Sequence, residues 1–245
     1  MKNLVILGAT SGISQAYINR VADRFEKIVL IARDAQKLGQ LSSHVSTVSN
    51  ASVSTIESDL SDSAKHEELI STVVSQVGSI DCALISYGQL TDQNRCVDDV
   101  NYAMEQFNLN GASTISLSLH LARQMMIQDG GTMAVIGSVA GDRGRRSNYC
   151  YGAAKSAVES FLAGLRSDMQ KHKVHVLTVK PGFVDTPMTS EIKKGALWAS
   201  ADKVAADIDS AIQKRKNLLY TPWFWRYIML VIKCIPEFIF KKLPL

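Results

Sequence analysis

The sequence predicts a single doubly wound α/β domain, in which helices cover both faces of a central parallel sheet. Short apolar runs typical of buried strands alternate with segments of helical periodicity from residue 3 to residue 221. No linker, repeat or low-complexity segment divides the 245 residues, and one domain with a full core can accommodate this length. We therefore expect residues 1–221 to form the domain and residues 222–245 to form an amphipathic C-terminal tail.

Composition places the chain among globular proteins and argues against several other classes. Hydrophobic residues make up 46% of the sequence and charged residues 20%. A net charge of +4 is too small to indicate a nucleic-acid partner. The four cysteines show no CxxC spacing, so we expect reduced thiols, no metal site and a cytoplasmic location. No apolar run predicts a transmembrane helix, and the N-terminus lacks the pattern of a signal peptide.

The first strand and the turn after it have the pattern of a phosphate-binding site. Residues 3–7 are continuously apolar, as expected for a strand that is buried on both faces. The turn Gly8-Ala-Thr-Ser-Gly12-Ile-Ser14 opens a helix whose free N–H groups can bind a pyrophosphate, and its glycines allow close backbone approach. The alternative is an ordinary tight turn between a strand and a helix. The predicted cofactor-binding residues of this segment are Gly8, Thr10, Ser11, Gly12 and Ile13.

The end of the second strand is the place where a dinucleotide-binding fold of the nicotinamide type would contact the adenosine ribose. Residues 27–32 form the second apolar run, and Arg33 follows it directly. At this place an acidic residue accepts a hydrogen bond from the ribose of NAD, whereas an arginine pairs with the 2′-phosphate of NADP. Arg33 therefore favours NADP(H). Asp34 leaves NAD(H) open, because it could contact the ribose instead of capping the next helix.

The third and fourth strands add candidate cofactor contacts. The third strand, residues 52–56, is followed by Asp59 and Leu60. Asp59 could contact the adenine, or it could cap the helix that follows. The fourth strand, residues 80–85, is followed by Gly88, which would let the backbone pass close to a cofactor.

A long helical pattern extends over residues 97–126, and Asn108 lies inside it. Asparagine is unfavourable in a helix interior, because its side chain competes for backbone hydrogen bonds. Asn108 is therefore a candidate functional residue.

A serine, a tyrosine and a lysine form the candidate catalytic group. Residues 133–136 predict a fifth strand, which leads to Ser138. Apolar positions recur at helical spacing after Asn148, so Tyr151 and Lys155 lie one turn apart on the same helix face. An ammonium near a phenol lowers the pKa of the phenol from about 10, which would allow proton exchange near neutral pH. The alternative is a packed tyrosine beside a solvated lysine.

The last part of the domain completes the alternating pattern. Residues 173–179 predict a sixth strand, residues 201–214 a helix and residues 218–221 a final short strand. The turn after the sixth strand supplies three further candidate cofactor contacts, which are Pro181, Val184 and Thr186.

In chain order, these motifs resemble the short-chain dehydrogenase/reductase family over residues 3–221. The resemblance is carried by Gly8-x-x-x-Gly12, Asp59, Asn108, Ser138, Tyr151-x-x-x-Lys155 and Pro181-Gly182-x-x-x-Thr186. The family implies a Rossmann fold, a nicotinamide cofactor and an oxidoreductase. It implies that Tyr151 protonates a carbonyl oxygen, Ser138 hydrogen-bonds that oxygen and Lys155 also binds the nicotinamide ribose. Asn108 would hold a water that resupplies the proton, and Thr186 would contact the nicotinamide side of the cofactor.

Two departures and two segments narrow the resemblance to a branch. Ser14 stands where the family usually has its third glycine, and Ser86-Tyr87-Gly88 replaces the usual Asn-Asn-Ala-Gly. Residues 140–152 and the C-terminus resemble the branch that reduces decaprenylphosphoryl-2-keto-pentose for cell-envelope polysaccharide synthesis. This implies a polyprenyl-phosphate-linked sugar as substrate and a homo-oligomer, either a dimer or a tetramer. Reduction of a steroid, retinoid or fatty acyl ketone, and non-catalytic sensing of NADP(H), are the alternatives.

Two basic segments indicate how such a substrate could be bound. Arg143, Arg145 and Arg146 lie between the candidate catalytic serine and tyrosine, and one or two of them could pair with a substrate phosphate. The alternative is a solvated loop. The tail interleaves aromatic, aliphatic and basic residues and is broken at Pro236. This pattern suits a segment lying on the inner face of a membrane, and packing on the domain or on a second subunit is the alternative.

Overall fold

Seven parallel strands form the central sheet of the protein, which a computed structural model describes from residue 2 to residue 243. The described residues contain two further strands, β7 and β8, outside this sheet, so the strands in chain order are β1 (Asn3–Leu7), β2 (Lys27–Ala32), β3 (Ser52–Glu57), β4 (Cys82–Ile85), β5 (Gly131–Ile136), β6 (Val174–Pro181), β7 (Phe183–Asp185), β8 (Trp198–Ser200) and β9 (Leu218–Thr221). The sheet has the order β3-β2-β1-β4-β5-β6-β9, so the direction of winding reverses between β1 and β4. The predicted fold class is confirmed. Met1, Pro244 and Leu245, which belong to the predicted domain and tail, lie outside the described residues.

Helices cover both faces of this sheet. They are α1 (Gly12–Val21), α2 (Ala35–Val48), α3 (His66–Val77), α4 (Gln93–Asp98), α5 (Val100–Phe107), α6 (Ser113–Ile127), α7 (Tyr149–Met169), α8 (Ala201–Gln213), α9 (Trp225–Cys234) and α10 (Glu237–Phe240). Side chains of α1, α2 and α8 pack on one face, and those of α3, α6 and α7 pack on the other. Within residues 2–243, no helix is long and apolar enough to cross a membrane.

The continuous apolar runs follow from burial of the sheet on both faces. In β1, Leu4 and Ile6 join the core on the side of α1, whereas Val5 and Leu7 join the core on the side of α3. Successive side chains of a strand point to opposite faces, so both sets must be apolar when both faces are covered. This double coverage fixes the carboxyl ends of the strands, where the candidate site residues lie.

The helical pattern of residues 97–126 is divided in the structure, which corrects the expectation of one long helix. The side chain of Asp92 caps α4, and the side chain of Asp99 accepts a hydrogen bond from Tyr102 N at 3.0 Å and caps α5. A π-helical turn, Asn108–Ala112, then separates α5 from α6. The carboxylates at the caps divide a pattern whose apolar spacing alone looks continuous.

Near the C-terminus the structure adds one sheet that was not predicted and shows how the tail is placed. Strands β7 and β8 pair in parallel as a separate two-stranded sheet beside the carboxyl end of β6. The tail forms α9 and α10, and its inner side chains are buried: Trp225 is 3% exposed and Met229 is 0% exposed. The tail therefore packs on the domain through one of its faces.

Candidate active site

A cavity of about 550 Å³ opens at the carboxyl ends of the central strands. This is the place where doubly wound sheets bind ligands, because the strand order reverses there and leaves a crevice. All the predicted cofactor-binding residues line it, namely Gly8, Thr10, Ser11, Gly12, Ile13, Arg33, Asp59, Leu60, Gly88, Tyr151, Lys155, Pro181, Val184 and Thr186. Ser138 and Arg145 line it as well, whereas Asn108, Arg143 and Arg146 do not.

The turn between β1 and α1 forms the phosphate-binding end of this cavity. Gly8 has a φ of +89°, and a Cβ at this position would lie 2.6 Å from the carbonyl oxygen of Ser86. Only glycine fits this crossing of two chain segments. Ser11 caps α1, and its hydroxyl accepts a hydrogen bond from Ser14 N at 3.1 Å. The remaining free N–H groups of the first turn and the helix dipole make this end suitable for a pyrophosphate.

The end of β2 presents an arginine to the cavity. Arg33 is exposed and lines the cavity, whereas Asp34 does not line it. The Asp34 carboxylate instead caps α2, where it accepts a hydrogen bond from Lys37 N at 2.9 Å. Of the two roles considered for Asp34, the structure shows the helix cap.

Asp59 lines the cavity on the same side. Its Oδ1 accepts hydrogen bonds from the backbone N and the hydroxyl of Ser61, at 2.9 and 2.8 Å. The hydrogen bond from Ser61 N lowers the pKa of Asp59, so this carboxylate is negatively charged at neutral pH. The hydrogen bonds of Asp59 Oδ1 thus stabilise the loop after β3, and the Asp59 carboxylate still lines the cavity, where a ligand can contact it.

The candidate catalytic group converges from one strand end and one helix. Ser138 follows β5, and its hydroxyl accepts a hydrogen bond from Ala140 N at 3.1 Å. Tyr151 and Lys155 lie in the first two turns of α7, with Lys155 Nζ at 5.7 Å from the centroid of the Tyr151 ring. Lys155 Nζ also donates to the carbonyl oxygen of Ile136 at 3.3 Å. All three side chains face the same cavity.

Burial sets the protonation of this group. Burial raises the pKa of Tyr151 to about 12, and the hydroxyl of Ser138 beside it acts in the opposite direction. Burial lowers the pKa of Lys155 to about 8, against the effect of the nearby Glu159 carboxylate. The structure therefore does not show the expected lowering of the tyrosine pKa by the lysine. For Tyr151 the negative charge of Glu159 acts in the same direction as burial, whereas for Lys155 removal from water outweighs the effect of Glu159.

Asn108 does not face the cavity. Its side-chain Nδ2 donates to the carbonyl oxygen of Ser61 at 2.9 Å and so ties the start of the π-helical turn to the loop after β3. The structure does not place Asn108 in the cavity that Lys155 lines, because the carbonyl oxygen of Ser61 engages its side chain.

A second asparagine, Asn110, lies close to Lys155, although it does not line the cavity. Asn110 is fully buried, and its Oδ1 accepts a hydrogen bond from Gln89 N at 2.9 Å. A Cβ added to Gly88 would lie 2.7 Å from Asn110 Oδ1 and 3.7 Å from Lys155 Nζ. Asn110 and Lys155 therefore flank Gly88 at the inner end of the cavity. The pattern Asn-x-Asn could have suggested that one of the two asparagines is buried. The sequence does not reveal the π-helical turn, so it could not show which one faces the interior.

Thr186 lines the cavity next to the turn between β1 and α1, the predicted phosphate loop. A Cβ at Gly12 would lie 3.0 Å from Thr186 Cγ2, so the turn after β6 packs directly against the start of α1. Thr189 Oγ1 donates to the carbonyl oxygen of Val184 at 2.6 Å, which holds this turn in a compact shape. The segment from Pro181 to Thr186 therefore faces the space between the phosphate loop and Tyr151.

A buried charge network behind Ser138 was not anticipated from the sequence. Lys180 Nζ lies 2.6 Å from both Asp142 Oδ1 and Glu159 Oε2. Tyr220 donates its hydroxyl to Asp142 at 2.9 Å, and Glu159 Oε1 accepts a hydrogen bond from Ser138 N at 3.1 Å. Burial alone would lower the pKa of Lys180, but the two carboxylates raise it. The network holds the backbone of Ser138 in place. Its members are distant in the sequence, so only the folded structure shows that they meet.

Arg143, one of the three arginines of which one or two were expected to meet a substrate phosphate, anchors the tail and does not line the cavity. Its guanidinium donates to the carbonyl oxygens of Ile232 at 2.6 Å and Ile235 at 2.7 Å, at the C-terminal end of α9. It also pairs with Glu237 at 2.9 Å and lies 3.7 Å from the centroid of the Phe240 ring. Carbonyl groups at a helix end attract a cation, so Arg143 caps α9 from the loop.

The other two arginines differ in their surroundings. Arg146 is exposed and does not line the cavity, so the structure gives it no place at the substrate. Arg145 lines the cavity, and burial lowers the pKa of its guanidinium. Of the three, only Arg145 is placed where it can meet a ligand.

The tail also forms part of the cavity wall. Trp225 lines the cavity and packs with Met229 on Val139, next to the candidate catalytic serine. A Cβ at Gly182 would lie 1.9 Å from Trp225 Nε1, so only glycine leaves room for the indole. The ring of Phe183 lies 5.7 Å from that of Trp225 in an edge-to-face arrangement. Sequence reasoning placed the tail outside the site.

Comparison with known proteins identifies the family of this fold and site. The sequence profile of short chain dehydrogenases matches residues 2–197. The chain belongs to the short-chain dehydrogenase family. An uncharacterized oxidoreductase of Mycobacterium tuberculosis is 32% identical over 241 residues, which cover 98% of this chain and 96% of that protein. An uncharacterized oxidoreductase of Streptomyces coelicolor is 29% identical over 247 residues, which cover 99% and 96%.

Solved structures show the same fold for this short-chain dehydrogenase. A short-chain dehydrogenase from Sphingobium yanoikuyae in complex with NADPH superimposes with a TM-score of 0.83 and 22% identity, covering 94% of this chain and 92% of that one. A short chain dehydrogenase from Burkholderia cenocepacia in complex with NADP gives a TM-score of 0.83 and 16% identity, and covers 100% of both chains. The family and the oxidoreductase class are confirmed, whereas the branch suggested by the sequence stays a prediction.

The two departures from the family pattern meet in this short-chain dehydrogenase. Ser11 Oγ lies 3.0 Å from the hydroxyl of Ser14 and 2.9 Å from the hydroxyl of Ser86. Ser14 is buried at the position of the usual third glycine, and Ser86 belongs to the segment that replaces Asn-Asn-Ala-Gly. The hydroxyls link the phosphate loop to the end of β4.

The residues present fit a nicotinamide dinucleotide. The glycine cradle at Gly8, the open N-terminus of α1 and Arg33 at the end of β2 match pyrophosphate and adenosine recognition. Within residues 2–243, no group of three His, Cys, Asp or Glu side chains is placed to hold a metal ion.

Proposed function

We propose that the protein is an NADPH-dependent ketoreductase that acts on a keto group of a polyprenyl-phosphate-linked sugar. The observation that carries this proposal is the single cavity that Ser138, Tyr151 and Lys155 share with Arg33 and the phosphate loop. A hydride source and a proton donor can therefore reach the same carbonyl group. The resemblance of residues 140–152 and the C-terminus to the keto-pentose branch supports the choice of sugar.

The chain's own residues supply the proton and the charge stabilisation. Bound NADPH supplies the hydride for the carbonyl carbon. Tyr151, whose pKa burial raises to about 12, is neutral at pH 7 and is in the form that donates a proton to the carbonyl oxygen. Ser138 donates a hydrogen bond to the same oxygen while negative charge develops there. Lys155 is mainly protonated at pH 7, with a pKa of about 8, and binds the ribose hydroxyls.

Asn110 replaces Asn108 in the proposed proton path. Its buried amide lies next to Gly88 and Lys155, where a water could pass a proton towards Tyr151. Asn108 is engaged by the carbonyl of Ser61 and keeps a structural part in this proposal.

The preference for NADPH over NADH rests on Arg33. Its guanidinium stands at the cavity rim, where it can pair with a 2′-phosphate. Asp34, the residue that could read the 2′-hydroxyl of NADH, is engaged at the N-terminus of α2. NADH remains usable in this proposal, but with lower affinity.

The proposal places the protein at the inner face of a membrane, as a homo-oligomer that draws its substrate from the lipid surface. The outer face of the tail supports this placement, because it exposes large apolar side chains next to basic ones. The apolar residues are Trp223, Tyr227, Leu230, Val231, Phe238 and Ile239, and the basic residues are Arg226, Lys233, Lys241 and Lys242.

A reduction assay tests the proposed function. Full-length protein, NADPH and a short-chain prenyl-phosphate-linked 2-keto pentose should give NADPH oxidation and a reduced sugar, and Tyr151→Phe should not. Reduction of a steroid, retinoid or fatty acyl ketone instead of the sugar would show that another hydrophobic ketone is the substrate. NADPH binding without turnover of any ketone in the panel would indicate a non-catalytic NADP(H)-binding protein.

A further inference from the structure

The loop after β3 forms a wall of the cavity at the end where the proposed function places the adenosine half of NADPH. Asp59, Leu60 and Ser61 are consecutive residues of this β3 loop, and all three line the cavity. Arg33 also lines it, and its charge adds to the hydrogen bond from Ser61 N in lowering the pKa of Asp59. Residues 59–61 belong to no helix or strand, so their position depends on the partners that their carbonyl groups find.

Two side chains from other elements hold successive carbonyl groups of the β3 loop. The carbonyl oxygen of Leu60 lies 3.1 Å from Nε2 of His66, the first residue of α3. The carbonyl oxygen of Ser61 accepts a hydrogen bond from Asn108 Nδ2 at 2.9 Å, at the start of the π-helical turn. The two contacts therefore set where the backbone of the β3 loop lies relative to the cavity.

The surroundings of His66 determine which of its ring nitrogens carries the proton. His66 is 1% exposed, and its Nδ1 lies 2.9 Å from the hydroxyl oxygen of Ser116 in α6. A carbonyl oxygen can only accept a hydrogen bond, so Nε2 donates to Leu60 and Nδ1 accepts from the Ser116 hydroxyl. Burial lowers the pKa of His66, so the ring is neutral at pH 7 and has one donor and one acceptor. The ring thus connects α6 to the β3 loop.

The π-helical turn supports two ends of the cavity with two asparagines. Asn108 reaches the β3 loop, whereas Asn110 Oδ1 accepts a hydrogen bond from Gln89 N at 2.9 Å, close to Lys155. The turn continues directly into α6, which carries Ser116. One continuous helical stretch therefore supplies both supports of the β3 loop.

We propose that Asn108 and His66 are positioning residues that hold the β3 loop in the shape that receives the adenosine half of NADPH. This inference rests on the proposed NADPH-dependent function and assigns residues that set the affinity for the cofactor. Neither side chain lines the cavity, so both act through Asp59, Leu60 and Ser61. Without either hydrogen bond, the loop must be ordered when the cofactor binds, and this ordering weakens binding.

Other contacts hold the reacting end of the cavity. Ser138 N donates to Glu159 Oε1 at 3.1 Å, and Lys155 Nζ donates to the carbonyl oxygen of Ile136 at 3.3 Å. These contacts join the end of β5 to α7 and do not involve the β3 loop. The positioning role therefore predicts weaker cofactor binding without slower chemistry, whereas a role of Asn108 in the proton path predicts slower chemistry.

Steady-state kinetics separate these two roles. Full-length wild type, Asn108→Ala and the matched control Asn101→Ala reduce butanedione, a soluble ketone, with NADPH. Asn108→Ala should raise KM for NADPH about 3- to 10-fold, since loss of one hydrogen bond has an effect of this size, and should keep kcat within about twofold. Asn101 is exposed on α5 and does not line the cavity, so its variant should match the wild type in both constants. A lower kcat with an unchanged KM for NADPH would overturn the positioning role.

Calorimetry tests the same role without turnover. NADPH and adenosine 2′,5′-bisphosphate, which represents the adenosine half of NADPH, are titrated into the wild type, Asn108→Ala, Asn101→Ala and His66→Phe. Asn108→Ala and His66→Phe should each weaken binding of the bisphosphate about 3- to 10-fold, because each removes one support of the β3 loop. Asn101→Ala should bind like the wild type. If the buried His66→Phe does not fold, Asn108→Ala decides the test.

The possible results distinguish this inference from the proposed function. Equal binding of the bisphosphate by the wild type and Asn108→Ala would overturn the positioning role and leave the ketoreductase function intact. Weaker binding with a kcat that falls by the same factor would show a general loss of packing and would also overturn it. Absence of NADPH binding by the wild type would overturn the proposed function, and this inference with it.

Discussion

Tyr151 and Lys155 illustrate how burial decides chemistry at the scale of single residues. The same removal from water raises the pKa of the phenol to about 12 and lowers that of the amine to about 8. The phenol therefore stays protonated over the whole neutral range, whereas the amine titrates just above it. Activity should depend on the phenol as a proton donor and on the amine as a pH-sensitive cation.

Replacing the proton donor is the most direct test at this scale. Tyr151→Phe should lower kcat by about 10²- to 10⁴-fold, because loss of a general acid typically has this effect. The dissociation constant for NADPH should change little, since the ring that lines the cavity is kept. Measuring both values in the same preparation separates catalysis from folding, and kcat above about a tenth of the wild-type value would contradict the role.

The pKa of Lys155 predicts a loss of activity at alkaline pH. The value of kcat/KM for NADPH reports ionisations of the unbound enzyme, so it should fall as Lys155 loses its proton above pH 8 or so. The value of kcat/KM falls rather than rises, because the neutral amine of Lys155 binds the ribose hydroxyls and the phosphate-rich cofactor less well than the ammonium does. Lys155→Arg, which remains charged at these pH values, should move the decline to higher pH. An unchanged profile in this variant would assign the limb to another group.

Arg33 carries the choice between the two nicotinamide cofactors. Arg33→Ala should raise KM for NADPH by about tenfold or more and leave KM for NADH nearly unchanged, because only NADPH has the 2′-phosphate. Asp34→Ser keeps a capping side chain at the start of α2 and provides the matched control. Equal effects of Arg33→Ala on both cofactors would show that the arginine does not read the 2′-position.

At the scale of elements, the sequence predicted what depends on local pattern and missed what depends on packing. Strands such as β1 and β2 were predictable because both faces of the sheet are covered and their residues are continuously apolar. The burial of Asn110 next to Lys155 was not predictable, because the π-helical turn Asn108–Ala112 is not visible in the apolar spacing. The role of Arg143 was missed for a similar reason, since its partners lie about 90 residues away in the tail.

The charge network between β6 and α7 gives a prediction for an element contact. Lys180→Met would leave Asp142 and Glu159 buried together without their cation. Removing one partner of a buried pair typically costs about 3–5 kcal/mol of unfolding free energy. The loss should shrink between pH 7 and pH 5. Burial raises the pKa of Glu159 and the charge of Lys180 lowers it, so the pKa of Glu159 would rise further in the folded variant and its protonation would favour folding as the pH falls.

Denaturant unfolding of both proteins at the two pH values measures this effect. Lys203→Met is the matched control, because Lys203 pairs with Asp207 at 2.6 Å on the surface of α8, where its side chain is 53% exposed. It should cost less than about 1 kcal/mol. A similar loss in both variants would show that the buried network has no special part in holding the loop of Ser138.

At the scale of the whole molecule, the tail joins the active site to an outer apolar surface. Its inner face places Trp225 in the cavity wall, and Arg143 anchors α9 from the loop that also carries Arg145. Its outer face exposes Leu230 at 58% and Val231 at 65%. The sequence allowed packing or membrane contact, and the structure shows packing on one face only. Ending the chain after Pro222 would therefore remove a wall of the site along with any membrane contact, so point substitutions give a cleaner test.

The last prediction concerns that outer face. The full-length protein should sediment with vesicles that contain anionic lipid, because buried methylenes contribute about 0.8 kcal/mol each and nearby lysines about 1 kcal/mol each. Leu230→Glu combined with Val231→Glu should reduce the bound fraction at least tenfold, since it replaces apolar contact with negative charge. Ile127→Glu, at the end of α6 and 81% exposed, is the matched control and should bind like the wild type. The double variant should still reduce butanedione at the wild-type rate, because neither residue lines the cavity, but it should lose activity on a prenyl-linked ketone presented in vesicles. Equal sedimentation of all three proteins, or none by the wild type, would instead assign this face to contacts between subunits.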